Sequence, residues 1–294
     1  MNYLLSFQKV LNHPNNKGAA MITLGRLLLW KLNQLTLRRP VIVNLTQEMK
    51  CICHPDSSFG SLIIYTKFPE YEEMKFFYDF IKKDDVFVDV GANIGAYSLL
   101  ASSKIKKGKI FAFEPSKKAA LYLRENIKLN HLENLVTVIE SVVSDKDGFE
   151  KFTVGRHSEV DRIKSPETST QSVRTIASTT LDKFLKSKRI TYIDMVKIDV
   201  EGAELKILKG LKSYLKNSSV GSILFEVNLN CKDYGSTIDE LFNFLEDKGF
   251  IIYSILENNK IVKLKRDQFD HNNTVNALAV SKSRKAQGRI KRFL

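Results

Sequence analysis

Cysteine, tryptophan and histidine are scarce in this 294-residue chain, with three, one and five copies. Cys51, Cys53 and Cys231 are too few and too irregularly spaced for a disulfide framework, which points to a reducing compartment. The run Cys51-Ile52-Cys53-His54 carries metal-ligand residue types. It lacks a second ligand pair and lies on an alternating strand pattern, so no metal is assigned there. No apolar run reaches the length of a membrane-spanning helix, and no basic, apolar, small-residue order marks a secretory signal at the start. The expected location is therefore the cytoplasm. No internal repeat is present, which excludes solenoids and propellers.

What is present is concentrated in Val86-Phe87-Val88-Asp89-Val90-Gly91-Ala92-Asn93-Ile94-Gly95, an apolar strand running into a glycine-punctuated turn. Tyr97, Leu99, Leu100 and Ala101 continue with helical spacing, and Lys109-Ile110-Phe111-Ala112-Phe113 reads as a second buried strand. That strand ends at Glu114, about twenty residues past the glycines, where a βαβ nucleotide site places an acid for ribose hydroxyls. A dinucleotide turn needs a bare glycine where Asn93 stands, and Asp89 would repel a diphosphate held nearby. Gly91 and Gly95 form G-x-x-x-G instead. S-adenosylmethionine fits better: it has a ribose, two cationic groups that tolerate a nearby acid, and no phosphate.

Three segments, VFVDVGANIG, IFAFEPS and VKIDVEGAELKILKGL, occur in that order. Together they resemble the FkbM family of S-adenosylmethionine-dependent methyltransferases, a likeness spanning about Phe68 to Gly249. The resemblance implies an α/β fold, a Rossmann-like class I methyltransferase with a mostly parallel seven-stranded sheet and helices on both faces. It implies methyl transfer to a hydroxyl of a sugar, glycolipid or secondary metabolite, with no particular acceptor. Asp89, Gly91, Asn93, Gly95, Glu114 and Pro115 are the candidate cofactor residues of the first two segments. By resemblance alone, Ser141 and Val142 join them as adenine contacts, and the Tyr71-Glu72 region closes over the methionine end.

The third segment places Lys197, Asp199 and Glu201 in alternation at the carboxyl end of the fourth core strand, Ile193 to Ile198. Ligands of open α/β sheets gather at such ends. An alcohol needs help losing its proton, so Asp199 or Glu201 is the expected base, while positioning supplies much of the remaining barrier reduction. Glu204, one turn on, is expected to anchor rather than react, since acids at a helix start are favoured by the dipole. Glu226 and Asn228 end the fifth strand and should face Asp199. The three oxygen-bearing groups would also suit a hard cation, although simple hydrogen bonding of a sugar serves them equally. His157 is an alternative base, but a lone histidine in a polar loop is more often a bystander.

The organisation expected is an appendage at 1–84, a catalytic domain at 85–280 with an insertion at 145–191, and a basic tail at 281–294. The appendage holds an apolar helix near Met21 to Leu32, short strands at Val41–Val43 and Cys51–Cys53, and a lead-in helix from Glu72 to Ile81. Phe152, Val154, Val173 and Ile176 suggest a small hairpin, and Val275 to Val280 a final antiparallel edge strand. The formal charge of +13 favours anionic surroundings without choosing among them. Packing on the catalytic domain is the favoured reading of the apolar helix, with peripheral membrane contact as the alternative. The tail, rich in Lys and Arg from Lys282 to Arg292, reads as a solvated end, with attachment to anionic lipid alongside Arg38 and Arg39 as the alternative. A nucleic-acid methyltransferase is the competing enzyme. Amino-methylating enzymes of that kind carry an Asn/Asp-Pro-Pro-aromatic turn where this chain has Asp199-Val200-Glu201-Gly202, and carboxylates there would repel phosphates. A non-catalytic, membrane-associated scaffold is the third reading.

Overall fold

The computed structural model describes residues 8–154, 162–163, 172–266 and 274–294. His157 lies outside them. The centre is an eight-stranded sheet, whose strands are β1 (Val86–Val90), β2 (Lys109–Phe113), β3 (Val136–Ile139), β4 (Ile193–Ile198), β5 (Val220–Val227), β6 (Phe250–Ile255), β7 (Ile261–Lys263) and β8 (Val275–Ser281). Their order across the sheet is β7-β6-β8-β5-β4-β1-β2-β3. Pairings from β5 through β3 are parallel, whereas β8 runs antiparallel to both β5 and β6.

Parallel strands buried on both faces read as continuous apolar runs. In β1 and β2, Phe87, Ile110 and Ala112 pack into one core layer while Val88, Val90, Phe111 and Phe113 pack into the layer on the opposite face. The Val275–Ser281 segment is a correction to the expected edge strand. It lies inside the sheet, between β5 and β6, and the short β7 takes the edge beyond β6. Ala277 to Val280 are fully buried there.

The helices that position the site are α1 (Ala20–Leu35), α2 (Ser58–Thr66), α3 (Tyr71–Phe80), α4 (Ala96–Lys104) and α5 (Lys117–Leu129). Trp30 of α1 packs on α2, its indole donating to Ser61 Oγ at 3.0 Å. Strands Val41–Asn44 and Lys50–Cys53 form an antiparallel hairpin. The hairpin amide of Ile52 donates to Asn126 Oδ1 at 2.6 Å, and the Asn126 amide donates to the carbonyl of Ile94 at 2.9 Å. One buried side chain on α5 thus links the hairpin to the glycine turn after β1. Phe77 of α3 packs against Phe87 and Tyr97, so segment 71–80 shares the core of the sheet.

The insertion forms its own sheet. Gly148–Val154 pairs antiparallel with Ser172–Thr179, and Val142–Val143 pairs parallel with Ser178 and Thr179. The basic tail differs from a solvated end: Arg284–Ile290 is a helix whose Ala286 and Ile290, with Phe293 beyond, are buried. Arg289 forms an ion pair with Asp85 and donates to the carbonyl of Phe80 at 2.7 Å. Lys285 pairs with Asp194 at 3.0 Å. Apolar side chains spaced along this helix outweigh its charge count.

Candidate active site

A cavity of about 290 Å³ opens at the carboxyl ends of β1, β2, β4 and β5. It brings together Asp89, Gly91, Asn93, Glu114, Pro115, Ser141, Val142, Asp199, Glu201 and Glu226, all singled out above. Gly95 stands behind it as the left-handed residue preceding α4.

The turn after β1 is built around Gly91, whose φ is +80°. A Cβ there would lie 1.9 Å from the carbonyl oxygen of Asp199, so glycine permits the two strand-end loops to touch. The Asp199 amide in turn donates to the carbonyl of Val90 at 3.0 Å. Glu114 is buried, and its two carboxylate oxygens accept from the amides of Asn93 and Ser116, each at 2.8 Å. It therefore staples the loops after β1 and β2.

Asp89 is buried and accepts from Ser98 Oγ at 2.7 Å through Oδ2. Its Oδ1 and the Oδ1 of Asn93 are buried without a hydrogen-bond partner among the described residues. Two orphaned acceptors in the wall of one cavity call for a donor from a ligand. Burial pushes the Asp89 carboxyl upward, against the pull of Lys197. After β3, Ser141 Oγ donates to the carbonyl of Ala177 at 2.8 Å, which ties this loop to the insertion sheet.

Lys197 was legible only as part of an alternation, yet its ammonium is buried at the centre of the site. It pairs with Asp199 at 2.8 Å and sits 4.5 Å from the ring centroid of Tyr97. Burial works to lower its pKa, but Asp199, Glu70 and Asp89 outweigh this and hold it above the ordinary lysine value. Glu70 accepts from the Tyr97 hydroxyl at 2.5 Å, and burial raises its pKa. Pro69 and Glu70, rather than Tyr71 or Glu72, are the residues of that region in the cavity wall. Phe59 and Leu62 of α2 complete the wall. No apolar period had marked α2, although Ser57 caps it by accepting from the Gly60 amide at 3.0 Å.

Single carboxylate oxygens of Asp199, Glu201 and Glu226 lie within 4.8 Å of one another. Three negative charges at that spacing repel strongly away from water. Burial, reinforced by Asp199, Glu201 and Glu204, pushes Glu226 up to about 9, so it holds its proton at neutral pH. Asn228 donates to Glu226 Oε2 at 2.5 Å, and Asn230 donates to Glu201 Oε2 at 3.2 Å. The trio has the spacing of a hard-cation site. Glu204 is fully buried and accepts from the Gly202 amide at 3.1 Å, which makes it a brace for the loop after β4. Burial raises it to about 7.

A Rossmann-like sheet in this strand order, with an acid ending β2 and the cavity at the strand ends, defines a class I methyltransferase. Residues 89–252 match the family described as the methyltransferase FkbM domain, and the chain belongs to that family. The family's cofactor is S-adenosylmethionine, and the acid of β2 and the orphaned acceptors Asp89 and Asn93 fit its ribose and its cationic end. The hexuronic acid methyltransferase AglP of Haloferax volcanii is 28% identical over 159 residues, covering 54% of this chain and 63% of AglP. The 2-O-methyltransferase NoeI of Sinorhizobium fredii is 29% identical over 149 residues, covering 46% and 60%. The chain thus spans about six tenths of the length of these two relatives. The precorrin-6y C5,15-methyltransferase of Geobacter metallireducens overlaps 71% of this chain and 89% of its own, at 19% identity and a TM-score of 0.42.

Proposed function

We propose that the chain transfers a methyl group from S-adenosylmethionine to a hydroxyl of a sugar, either in a glycan or in a lipid-linked or small-molecule glycoside. The observation that carries this reading is the convergence of Asp199, Glu201 and Glu226 in the same cavity as Asp89, Asn93 and Glu114. The names of AglP and NoeI, a hexuronic acid methyltransferase and a 2-O-methyltransferase, support the choice of a sugar oxygen.

When bound, the cofactor supplies a methyl group on a sulfonium, which leaves a neutral thioether. The residues of the chain supply position and proton control. Glu114 holds the ribose, and Asp89 and Asn93 offer their open acceptors to the cationic end. Lys197 pairs with Asp199 and fixes its direction, so that Asp199 accepts the hydroxyl proton as the oxygen–carbon bond forms. Glu226, holding its own proton, donates a hydrogen bond to a neighbouring sugar oxygen and thereby orients the ring. A general base contributes about 10²–10⁴-fold. The test is methyl transfer from radiolabelled cofactor to hexose and hexuronic acid glycosides, with wild type and Asp199→Asn. Asp199→Asn is expected to keep its affinity for S-adenosylhomocysteine and lose about 10²–10⁴-fold in turnover. Label transferred only to amines, or full turnover by Asp199→Asn, would overturn the reading.

A further inference from the structure

Helix α1 has a covered inner side and an uncovered apolar outer side. Its inner side carries Thr23 and Trp30, both buried, and Arg26 and Gln34, which donate to the carbonyls of Tyr65 and Pro55 at 3.2 and 2.8 Å. Its outer side presents Met21, Ile22, Leu28, Leu29, Leu32 and Leu35, of which Met21, Leu29 and Leu35 are 82%, 69% and 70% exposed. At 100° per residue these six fall within an arc of about 140°. An exposed apolar stripe of this size on a folded domain marks an interaction surface.

Charge identifies the occupant. The first 47 residues contain no Asp or Glu, the first acid being Glu48, yet they carry Lys9, Lys17, Arg26, Lys31, Arg38 and Arg39. All of these except Arg26 are exposed. A second copy seated on the stripe would bring two acid-free, sixfold basic segments together, at an electrostatic cost. An anionic surface would be attracted instead. An apolar stripe flanked by Lys and Arg is the pattern of a helix lying in a lipid interface. No helix among the described residues is long and apolar enough to cross a membrane, so the contact is in-plane.

We propose that the outer face of α1, with Arg38 and Arg39 at its end, seats the protein on an anionic lipid surface. The cavity lies one helix away: α2 receives Trp30 on Ser61 and places Phe59 and Leu62 in the cavity wall. A lipid-linked acceptor held at that surface reaches the cavity past α2. This last consequence rests on the methyltransferase reading, whereas lipid binding does not.

The experiment is co-sedimentation of the full chain with phosphatidylcholine vesicles, with and without phosphatidylglycerol, at about 0.1 M and about 0.5 M salt. Wild type is expected to sediment with the anionic vesicles, less so at the higher salt. Arg38→Ser with Arg39→Ser should lower that partitioning about thirtyfold. Leu28→Ser, Leu29→Ser and Leu35→Ser together should lower it about a hundredfold or more. These leucines are exposed, so S-adenosylhomocysteine affinity by calorimetry should not change, and that measurement separates lost docking from lost folding. Wild type left in the supernatant with anionic vesicles, or a triple-serine variant that sediments like wild type, overturns the proposal. So does a lipid-free dimer seen by light scattering that the triple-serine variant abolishes.

Discussion

Removing the Arg289 guanidinium is expected to unfasten the sheet from the end opposite the cavity. Arg289 forms an ion pair with Asp85, lies 3.4 Å from Asp194 and sits 4.2 Å from the ring centroid of Phe80. Asp85 and Asp194 are only 4% and 8% exposed. Asp85 precedes β1, and Asp194 near the start of β4 accepts from the Val86 amide at 3.0 Å. Arg289→Met keeps much of the stem and leaves Asp85 without its cation. Breaking a buried pair from one side costs about 3–5 kcal/mol. Lys285 still faces Asp194 at 3.0 Å, so the lower end, about 3 kcal/mol, is expected. That is a large share of a typical stability of about 5–15 kcal/mol. In urea denaturation the midpoint should fall by about 1 M with an unchanged slope. Adding Asp85→Asn should recover about 1–2 kcal/mol relative to the sum of the single changes, because the orphaned charge goes with it. S-adenosylhomocysteine affinity should hold, since these groups lie at the amino ends of the strands. A loss below about 1 kcal/mol for Arg289→Met would refute the argument by showing that water screens the pair.

Gly91→Ala must adopt a left-handed φ and put a Cβ 1.9 Å from the Asp199 carbonyl oxygen. It should lower both the melting temperature and S-adenosylhomocysteine affinity, and an unchanged calorimetric titration would contradict the described contact. Glu114→Gln keeps the size but removes the charge that two amides and the ribose share; the expected loss is about 1.5–3 kcal/mol of binding, read by the same titration. Glu226 supplies a pH signature. Its folded pKa of about 9 lies above the unfolded value, so the folded state holds a proton that the unfolded chain has released. Stability is then greatest below the unfolded value and falls as pH rises towards about 9, by up to about 1.4 kcal/mol per pH unit. Glu226→Gln should flatten that slope above the Glu204 value of about 7. Parallel slopes for the two proteins in urea melts from about pH 7.5 to 9 would show that Glu226 is already ionised.

The parts of the site that lie on one strand end were legible residue by residue. Asp89, Gly91, Glu114 and Asp199 stand at junctions where an apolar run stops, and a buried parallel strand stops at the ligand. What escaped reading depends on contacts between distant segments. Helix α2 is nine residues long with β-branched Ile63 and Ile64, so neither its period nor its propensity marks it, and Phe59 and Leu62 went unassigned with it. The place of β8 inside the sheet is a matter of pairing order, which no local pattern encodes. The docking of the Arg284–Ile290 helix depends on Asp194 and Asp85, 95 and 204 residues upstream of Arg289, and against them its basic composition was misleading. Lys197 was visible, but its burial among Glu70, Asp89 and Asp199 required three strand and loop ends to meet.

The two-residue pairing of Val142–Val143 with Ser178 and Thr179, and the Ser141 bond to Ala177, tie the segment directly after β3, the last strand of the central sheet, into the insertion sheet. The insertion is therefore no detachable cassette. A chimera that swaps it for another domain's segment, cut at Lys146 and Thr175, would sever this seam and loosen Ser141 and Val142 in the cavity wall. Cutting outside the seam, before Ser141 and after Thr180, carries the wall along with the graft. A loop exchange in the insertion therefore also moves Ser141 and Val142, two residues of the cavity wall, so the cavity and the graft have to be redesigned together.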